Sequence, residues 1–240
     1  MIEIDARNKR VLFISDTHIP YSVSGYIKFL KHLKQKFKPD IVIHGGDELD
    51  YHAVSFHDSD QDILSAGHEL DKSIIEIQEG LHKLFPKLYI LESNHGSLVF
   101  RKMKHHGIPI RVLKPLRDLY ETPEWEWHDK ILLKTNGGKV LVAHGFSGIA
   151  GAWAKITGCS TVEFHYHSKF HITYLQSELS KRFSMHCGCL ADQNEMAMAY
   201  SKSNMAKFIN GTGGLNEHGQ PLLFPYFVPK EEKHVEARYL

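Results

Sequence analysis

Five short clusters in this sequence combine carboxylates, imidazoles and an amide: Asp16-Thr17-His18, Gly46-Asp47 with Asp50, Asn94-His95, His144, and His165-Tyr166-His167. Asp16, His18, Asp47, Asn94, His144, His165 and His167 make a mixed oxygen and nitrogen ligand set with no thiolate. Such a set suits Mn²⁺, Fe, Zn²⁺ or Ni²⁺ rather than Ca²⁺ alone. It is too large for one tetrahedral ion, but it fits two divalent ions if one carboxylate bridges them. In an extended segment His165 and His167 project to the same side, with Cβ atoms about 6–7 Å apart. That separation suits one imidazole on each ion of a pair about 3.5–4 Å apart. Each cluster alone also has a structural reading. Asp-x-His is a helix N-cap with a neighbour, Gly-Gly-Asp and Asn-His-Gly are turns, His144 is a core histidine, and His165-x-His167 is an exposed strand. Placement separates the readings, because the clusters fall in order at the ends of strands.

The elements that must position these groups follow from apolar spacing. Val11 to Ile14 is a short apolar run of β-formers and reads as a buried strand. Ile27, Leu30, Leu33 and Phe37 recur at helical spacing with lysines on the other faces, and Lys38-Pro39 ends that helix. Asp40 to His44 is a second strand, stopped by Gly45-Gly46. Ile63, Leu70, Ile74, Ile77, Leu81 and Leu84 mark a long helix that ends before Pro86, and Leu88 to Leu91 is a third strand. This alternation predicts a parallel sheet, whose strands are buried on both faces and read as continuous apolar runs. Ligands bind such sheets at the carboxyl ends of the strands. The second half predicts strands at Trp125 to Trp127, Ile131 to Thr135, Lys139 to Ala143, Thr161 to Phe164, His171 to Gln176, Met185 to Leu190 and Leu222 to Val228. Asn136-Gly137-Gly138 signals a hairpin, and short helices fall near Gly148 to Lys155 and Glu195 to Lys207. The expectation is a single α/β domain over residues 1–240 with two sheets face to face. A break near Gly107 is the alternative.

Asp16-x-His18, Gly46-Asp47-x-x-Asp50, Asn94-His95, His144 and His165-x-His167 resemble the ordered D-x-H, G-D-x-x-D, G-N-H-[DE], H and G-H-x-H signature of the calcineurin-like metallophosphoesterase family. The resemblance spans about residues 11 to 190. It implies a four-layer α/β sandwich, two central mixed β-sheets flanked by helices, with a dinuclear site at the strand ends. Carried over position by position, it implies that Asp16, His18 and His167 hold one ion and that Asn94, His144 and His165 hold the other. Asp47 would bridge the two, and His95 would be the catalytic histidine. Cys187-Gly188-Cys189-Leu190 is also similar to a Gly-Cys segment of small bacterial and phage-encoded members. There are three departures. Ser93 replaces the glycine before Asn94, Gly96 replaces the acid that often follows and orients the histidine, and Phe164 replaces the glycine before His165. A bulky residue would be strained there if the position requires a positive φ.

The activity this implies is phosphoester hydrolysis by metal-bridged hydroxide, with Asn94 and His95 hydrogen-bonding the developing charge and His95 protonating the leaving oxygen. Family members acting on phosphoproteins typically begin D-x-H-G, whereas Ile19-Pro20 follows His18 here. The family's DNA nucleases and nucleotide diesterases lack that glycine too. A phosphodiester in nucleic acid (DNA or RNA) or in a nucleotide is therefore the expected substrate, with a phosphomonoester as the alternative. Mn²⁺ is the expected ion, with Fe, Zn²⁺ and Ni²⁺ as alternatives. A non-catalytic binding scaffold is a third reading, and the filled ligand positions argue against it.

Composition bounds the rest. A net charge of +1 over 240 residues removes bulk charge as an argument for nucleic-acid or membrane binding. No apolar run is long enough to span a bilayer, and Met1 to Asp5 lacks the apolar stretch of a secretion signal. Cys159, Cys187 and Cys189 cannot all pair, and no CxxC occurs, so a cytoplasmic setting is expected. Neutral charge and small size point to a minimal enzyme or to a subunit that borrows substrate grip from a protein partner. Local anion contacts are offered by Arg101, Lys102, Lys104, His105 and His106, and by the small-residue loop from Gly145 to Gly151. Tyr51, Phe56, Trp125 and Trp127 can stack on a base or pack a core. His44, His52, His57 and His68 default to surface or packing, and Cys187 and Cys189 to strand positions.

Overall fold

The first apolar run is buried throughout, and the alternation of its side chains sets the layering. In the computed structural model, which describes residues 1–56, 62–145, 148–201 and 205–228, β1 (Ile2–Asp5) precedes β2 (Val11–Ile14). Leu12 and Ile14 share a core with the helical residues Leu30, Ile77 and Leu81. Val11 and Phe13 share the other core with Ile131, Val142 and Met185. Period-2 alternation makes a strand covered on both faces apolar at every position.

α1 (Tyr26–Phe37) buries Tyr26, Leu30 and Leu33 and leaves its lysines exposed. β3 (Ile41–His44) and α2 (Ala66–Glu76) follow. α2 starts after Ile63 because Ser65 caps it, its side chain accepting from the His68 N–H. Past Glu76 the helix widens into a π turn over Ile77–His82. Next come β4 (Leu88–Leu91), α3 (Leu98–His105), α4 (Leu116–Leu119), β5 (Trp125–His128), β6 (Lys130–Thr135) and β7 (Gly138–Ala143). The order ends with α5 (Ala152–Thr157), β8 (Ser160–Glu163), β9 (Phe170–Gln176), β10 (Lys181–Cys187), β11 (Gly211–Leu215) and β12 (Pro221–Pro225).

Two mixed six-stranded sheets result, in the orders β12-β11-β2-β3-β4-β5 and β1-β6-β7-β8-β10-β9. β2 to β5 run parallel, so the loops that follow β2, β3 and β4 emerge on one edge. β7, β8 and β10 are parallel in the second sheet, and β6 and β7 form the predicted hairpin. Each sheet takes strands from both sides of Gly107. α1 and α2 lie outside the first sheet and α5 lies against β8 and β10. Two central mixed sheets flanked by helices were expected, and that is the architecture. Among the described residues no helix is long and apolar enough to cross a membrane.

Several boundaries differ from the sequence reading. β10 ends at Cys187, and Cys189 and Leu190 instead donate their N–H groups to Ile209 and Asp16. The helix expected from Gly148 begins at Ala152. Within Glu195 to Lys207 the regular structure is a 3-10 segment over Met196–Ser201, and residues 202–204 lie outside the described ones. The last strand stops at Pro225, and the polar end after Val228 also lies outside.

β11, Gly211-Thr212-Gly213-Gly214-Leu215, carries little strand signal because glycine is a poor strand former. Its composition answers to close sheet packing. A Cβ on Gly213 would stand 2.7 Å from Cys187 Sγ and 3.1 Å from Met185 Cε on the opposite sheet. Gly213→Val should cost about 1–3 kcal/mol through overpacking. The expected readout is a lower urea midpoint at unchanged slope; an unchanged midpoint would refute the contact.

Candidate metal centre

The predicted clusters converge where the carboxyl ends of β2, β3 and β4 meet the loops after β7 and β8. The chain reaches this point through left-handed backbone at non-glycine residues: His18 (φ 48°), Asp47 (φ 47°), Tyr51 (φ 54°) and His165 (φ 71°). Such residues cost roughly 1–2 kcal/mol each and persist where surroundings enforce them. Here hydrogen bonds do so. The His18 N–H donates to the Asp47 carbonyl (2.9 Å), the Ile19 N–H to the Glu48 carbonyl (3.0 Å) and the Asp50 N–H to the Ile19 carbonyl (3.0 Å). The His165 N–H donates to Asp16 Oδ2 (2.8 Å).

Oxygen acceptors then fix the imidazoles. His18 Nδ1–H donates to Asp50 Oδ2 (2.7 Å), His144 Nδ1–H to the Gly45 carbonyl (2.8 Å) and His95 Nδ1–H to the Asp50 carbonyl (2.5 Å). Because these acceptors have no proton to give, each ring holds its proton on Nδ1 and turns Nε2 towards the cleft. His18 Nε2 lies 3.2 Å from His167 Nε2, and His167 Nε2 lies 3.2 Å from Asp16 Oδ2. Asp47 Oδ2 stands 3.2 Å from His144 Nε2 and 3.6 Å from His18 Nε2. Asn94 Oδ1 lies 2.8 Å from His144 Nε2.

Two groups with ligand atoms within 4.8 Å of one another emerge: Asp16, His18, Asp47 and His167, and Asp47, His144 and His165. His95 falls in a third with His18 and Asp50. Asp16, His18 and Asp47 are buried, His165 is exposed, and Asn94 opens to solvent. Asp16 Oδ1 is buried and has no hydrogen-bond partner among the described residues. Carboxylate, amide and imidazole atoms converging on one cleft, with Asp16 Oδ1 left without a donor among the described residues, fit a site for cations, so these residues could hold divalent ions.

Titration behaviour reflects the same crowding. Burial holds the His18 ring below its ordinary value despite Asp50. Burial also opposes charge on His144, but Asp47 and Asp16 outweigh it and raise that ring to about 10. Burial works against the Asp47 carboxylate too, and His144 and His95 nevertheless hold it well below the carboxylate range. His95 is raised, with burial again overcome by Asp47 and Asp50. His165, at the rim, is lowered by partial desolvation of its ring and by His144.

The three departures acquire physical reasons. Ser93 Oγ accepts from the Asp47 N–H (2.9 Å) and the Gly96 N–H (3.1 Å), tying the second loop to the third. With glycine at 96, the Asp50 carbonyl sets the His95 tautomer. Phe164 escapes strain because the positive φ falls on His165. Its ring occupies the space above Gly45, where a Cβ would lie 2.3 Å from it, and meets Phe13 edge-on.

Other candidates fall elsewhere. His44 is a buried structural ring, lowered by burial to about 4, which accepts from the Gly46 N–H and bonds Thr17 Oγ1. Cys187 and Cys189 are buried thiols. Trp125 is core, and the OH groups of Tyr51 and Tyr120 bond each other (2.9 Å). The Arg101 guanidinium donates to the Asn94 carbonyl (2.7 Å), and Arg101 and Lys102 both lie over the Phe56 ring. His57 and the loop residues Phe146 and Ser147 lie outside the described residues. Sequence reasoning missed the work of Ser93 and Glu48, and gave Asp50 no role although its motif position signalled one. Glu48 is buried, raised by burial to about 7, and accepts from Trp127 Nε1–H (3.1 Å).

Residues 9–171 match the model of the calcineurin-like phosphoesterase family, and the chain belongs to that family. Its members bind divalent metal ions. Among solved structures it is similar to vacuolar protein sorting 29 from Cryptosporidium parvum, at 14% identity over 92% of this chain and 98% of that one (TM-score 0.46). It is similar to YfcE, a phosphoesterase from E. coli, at 15% identity over 86% and 88% (TM-score 0.41). A single mutant of Vps29 from Entamoeba histolytica shares 9% identity over 91% and 99% (TM-score 0.44). No curated protein sequence matches the chain.

Asp50 orients His18 and His95 without belonging to either group that contains Asp47. Asp50→Ala should weaken Mn²⁺ binding about 10–100-fold in a calorimetric titration, the usual cost of losing a carboxylate behind a ligating histidine. Unchanged affinity in a native-like variant would mean that the rings are held by other contacts.

Proposed function

We propose that this chain is a dinuclear metal-dependent phosphodiesterase acting on nucleic acid or a nucleotide. One observation carries the dinuclear reading: Asp47 belongs both to the group with Asp16, His18 and His167 and to the group with His144 and His165, with one oxygen between the Nε2 atoms of His18 and His144. In this reading Asp16, His18, His167 and Asp47 hold one ion, and Asp47, Asn94, His144 and His165 hold the other. The mixture of hard oxygens and imidazoles favours Mn²⁺. When bound, the ions supply Lewis acidity towards phosphoryl oxygens and ready a water for attack near neutral pH.

The chain's own residues do the remaining work. His95 keeps Nδ1–H committed to the Asp50 carbonyl, and Asp47 and Asp50 favour the doubly protonated ring, so Nε2–H is the group that can give its proton to the leaving oxygen and leave the ring neutral. Its backbone N–H donates to Asp47 Oδ1 (3.0 Å), which ties the acid to the shared carboxylate. Asn94 stands at the cleft mouth, where its amide can hydrogen-bond a phosphoryl oxygen. Arg101 steadies the Asn94 carbonyl from below, and Lys102 and Lys104 extend positive charge along α3 for a polyanionic substrate.

Asp47→Asn should abolish hydrolysis and lower the ion content at both positions, measured by metal analysis beside a diesterase assay. An active Asp47→Asn protein would refute the shared carboxylate. His95→Ala should keep its ions while kcat falls about 10²–10⁴-fold, and the loss should shrink with a nitrophenolate leaving group. Loss of metal instead would make His95 a ligand. Replacing Lys102 and Lys104 with Ala should reduce the salt dependence of polynucleotide binding by about 1–2 log-log slope units. An unchanged slope, with monoesters hydrolysed faster than diesters, would favour a phosphatase.

A further inference from the structure

His44 ends β3 just ahead of Gly45-Gly46-Asp47, and its ring is wholly buried. Its hydrogen bonds leave one protonation pattern. The Gly46 N–H donates to Nδ1 (3.2 Å), so Nδ1 carries no proton. Thr17 Oγ1–H donates to the Glu48 carbonyl (3.0 Å) and has only lone pairs left for the ring, so His44 Nε2–H donates to it (3.1 Å). The ring is thus bare at the nitrogen that His18, His95 and His144 keep protonated.

Each nitrogen leads to a different ligand group. The Gly45 carbonyl and the Gly46 N–H belong to one planar peptide. His44 Nδ1 holds its N–H, while its carbonyl accepts from His144 Nδ1–H (2.8 Å). A Cβ on Gly46 would stand 2.7 Å from His144 Nδ1, so peptide and ring are in close contact. Turning that plane would withdraw the acceptor that directs His144 Nε2 at Asp47. The other arm runs through Thr17, which lies between Asp16 and His18. Its hydroxyl ends on the Glu48 carbonyl, which also accepts from the Ile19 N–H (3.0 Å). Hydrogen bonds in series through an amide or a hydroxyl polarise one another and strengthen the chain.

We infer that His44 is a positioning residue for both ligand groups, holding His144 through the Gly45–Gly46 peptide and holding Asp16 and His18 through Thr17. The inference rests on the dinuclear reading of the site and deepens it. One buried ring outside both groups aligns the strand ends that carry them. An apolar side chain of similar size would fill the space but leave the buried Gly46 N–H without an acceptor.

The test separates the two arms. In His44→Asn the amide oxygen can take over from Nδ1, and the donor to Thr17 is lost. In His44→Gln the amide NH₂ can take over from Nε2, and the acceptor for Gly46 is lost. Calorimetric titration of the full chain with Mn²⁺ gives two affinities. His167→Ala and His165→Ala, which each remove a ligand from one group, identify them. His44→Asn should weaken the ion at Asp16 and His18 at least about 10-fold more than the ion at His144, and His44→Gln should do the reverse. A ratio of the two affinities that moves the same way in both variants, or fails to move in either, overturns the inference, whatever happens to stability. Imidazole nitrogen resonances of the unaltered protein test it even where a variant does not fold. His44 should show a bare Nδ1 and a protonated Nε2, and any other pattern overturns the inference. If the unaltered protein takes up a single ion, the dinuclear reading fails, and those resonances alone then uphold or overturn the role of His44.

Discussion

Asp50 accepts hydrogen bonds from two imidazoles at once, through its carboxylate from His18 and through its carbonyl from His95. Much of the site's geometry depends on that double acceptance. It decides which nitrogen of each ring faces the cleft, and so which atoms can bind a cation or carry a proton. It needs the loop after β3 to fold back on the loop after β2, and the left-handed turns at His18, Asp47 and Tyr51 bring the chain there. The parallel order of β2, β3 and β4 supplies the common edge from which these loops depart.

The second sheet contributes in a different way. His144 is held by the Gly45 carbonyl, an atom of the first sheet's loop, and the His165 N–H is held by Asp16. The two layers are therefore joined at the site by polar contacts, while Phe13, Val142, Phe164 and Met185 join them beneath it by packing. A centre built across two layers is only as well defined as their spacing, and the bare β11 shows how tight that spacing is.

Much of this was legible in the residues. Val11 to Ile14, Ile41 to Ile43 and Leu88 to Leu91 announce themselves, because double-sided burial removes every polar position. The ligating types stand out because carboxylates and imidazoles at the ends of such runs have no packing purpose. β11 was illegible for the opposite reason: its glycines answer to an approach by Cys187 and Met185 that no local pattern records. The end of β10 is set by hydrogen bonds from Cys189 and Leu190 to distant partners. Ser93 and Glu48 look like ordinary turn residues, and what distinguishes them is which N–H groups they meet.

The contact between Gly45 and Phe164 also bears on how this sequence can change. With the ring in place, any side chain at 45 would collide with it. With glycine at 45, shrinking Phe164 would leave a hole costing about 3–5 kcal/mol, a large part of the 5–15 kcal/mol that typically holds a domain together. Neither position can drift alone, so the two behave as one heritable unit. A lineage that has placed its bulk at 164 is committed to it, because the single-step routes back pass through a less stable protein.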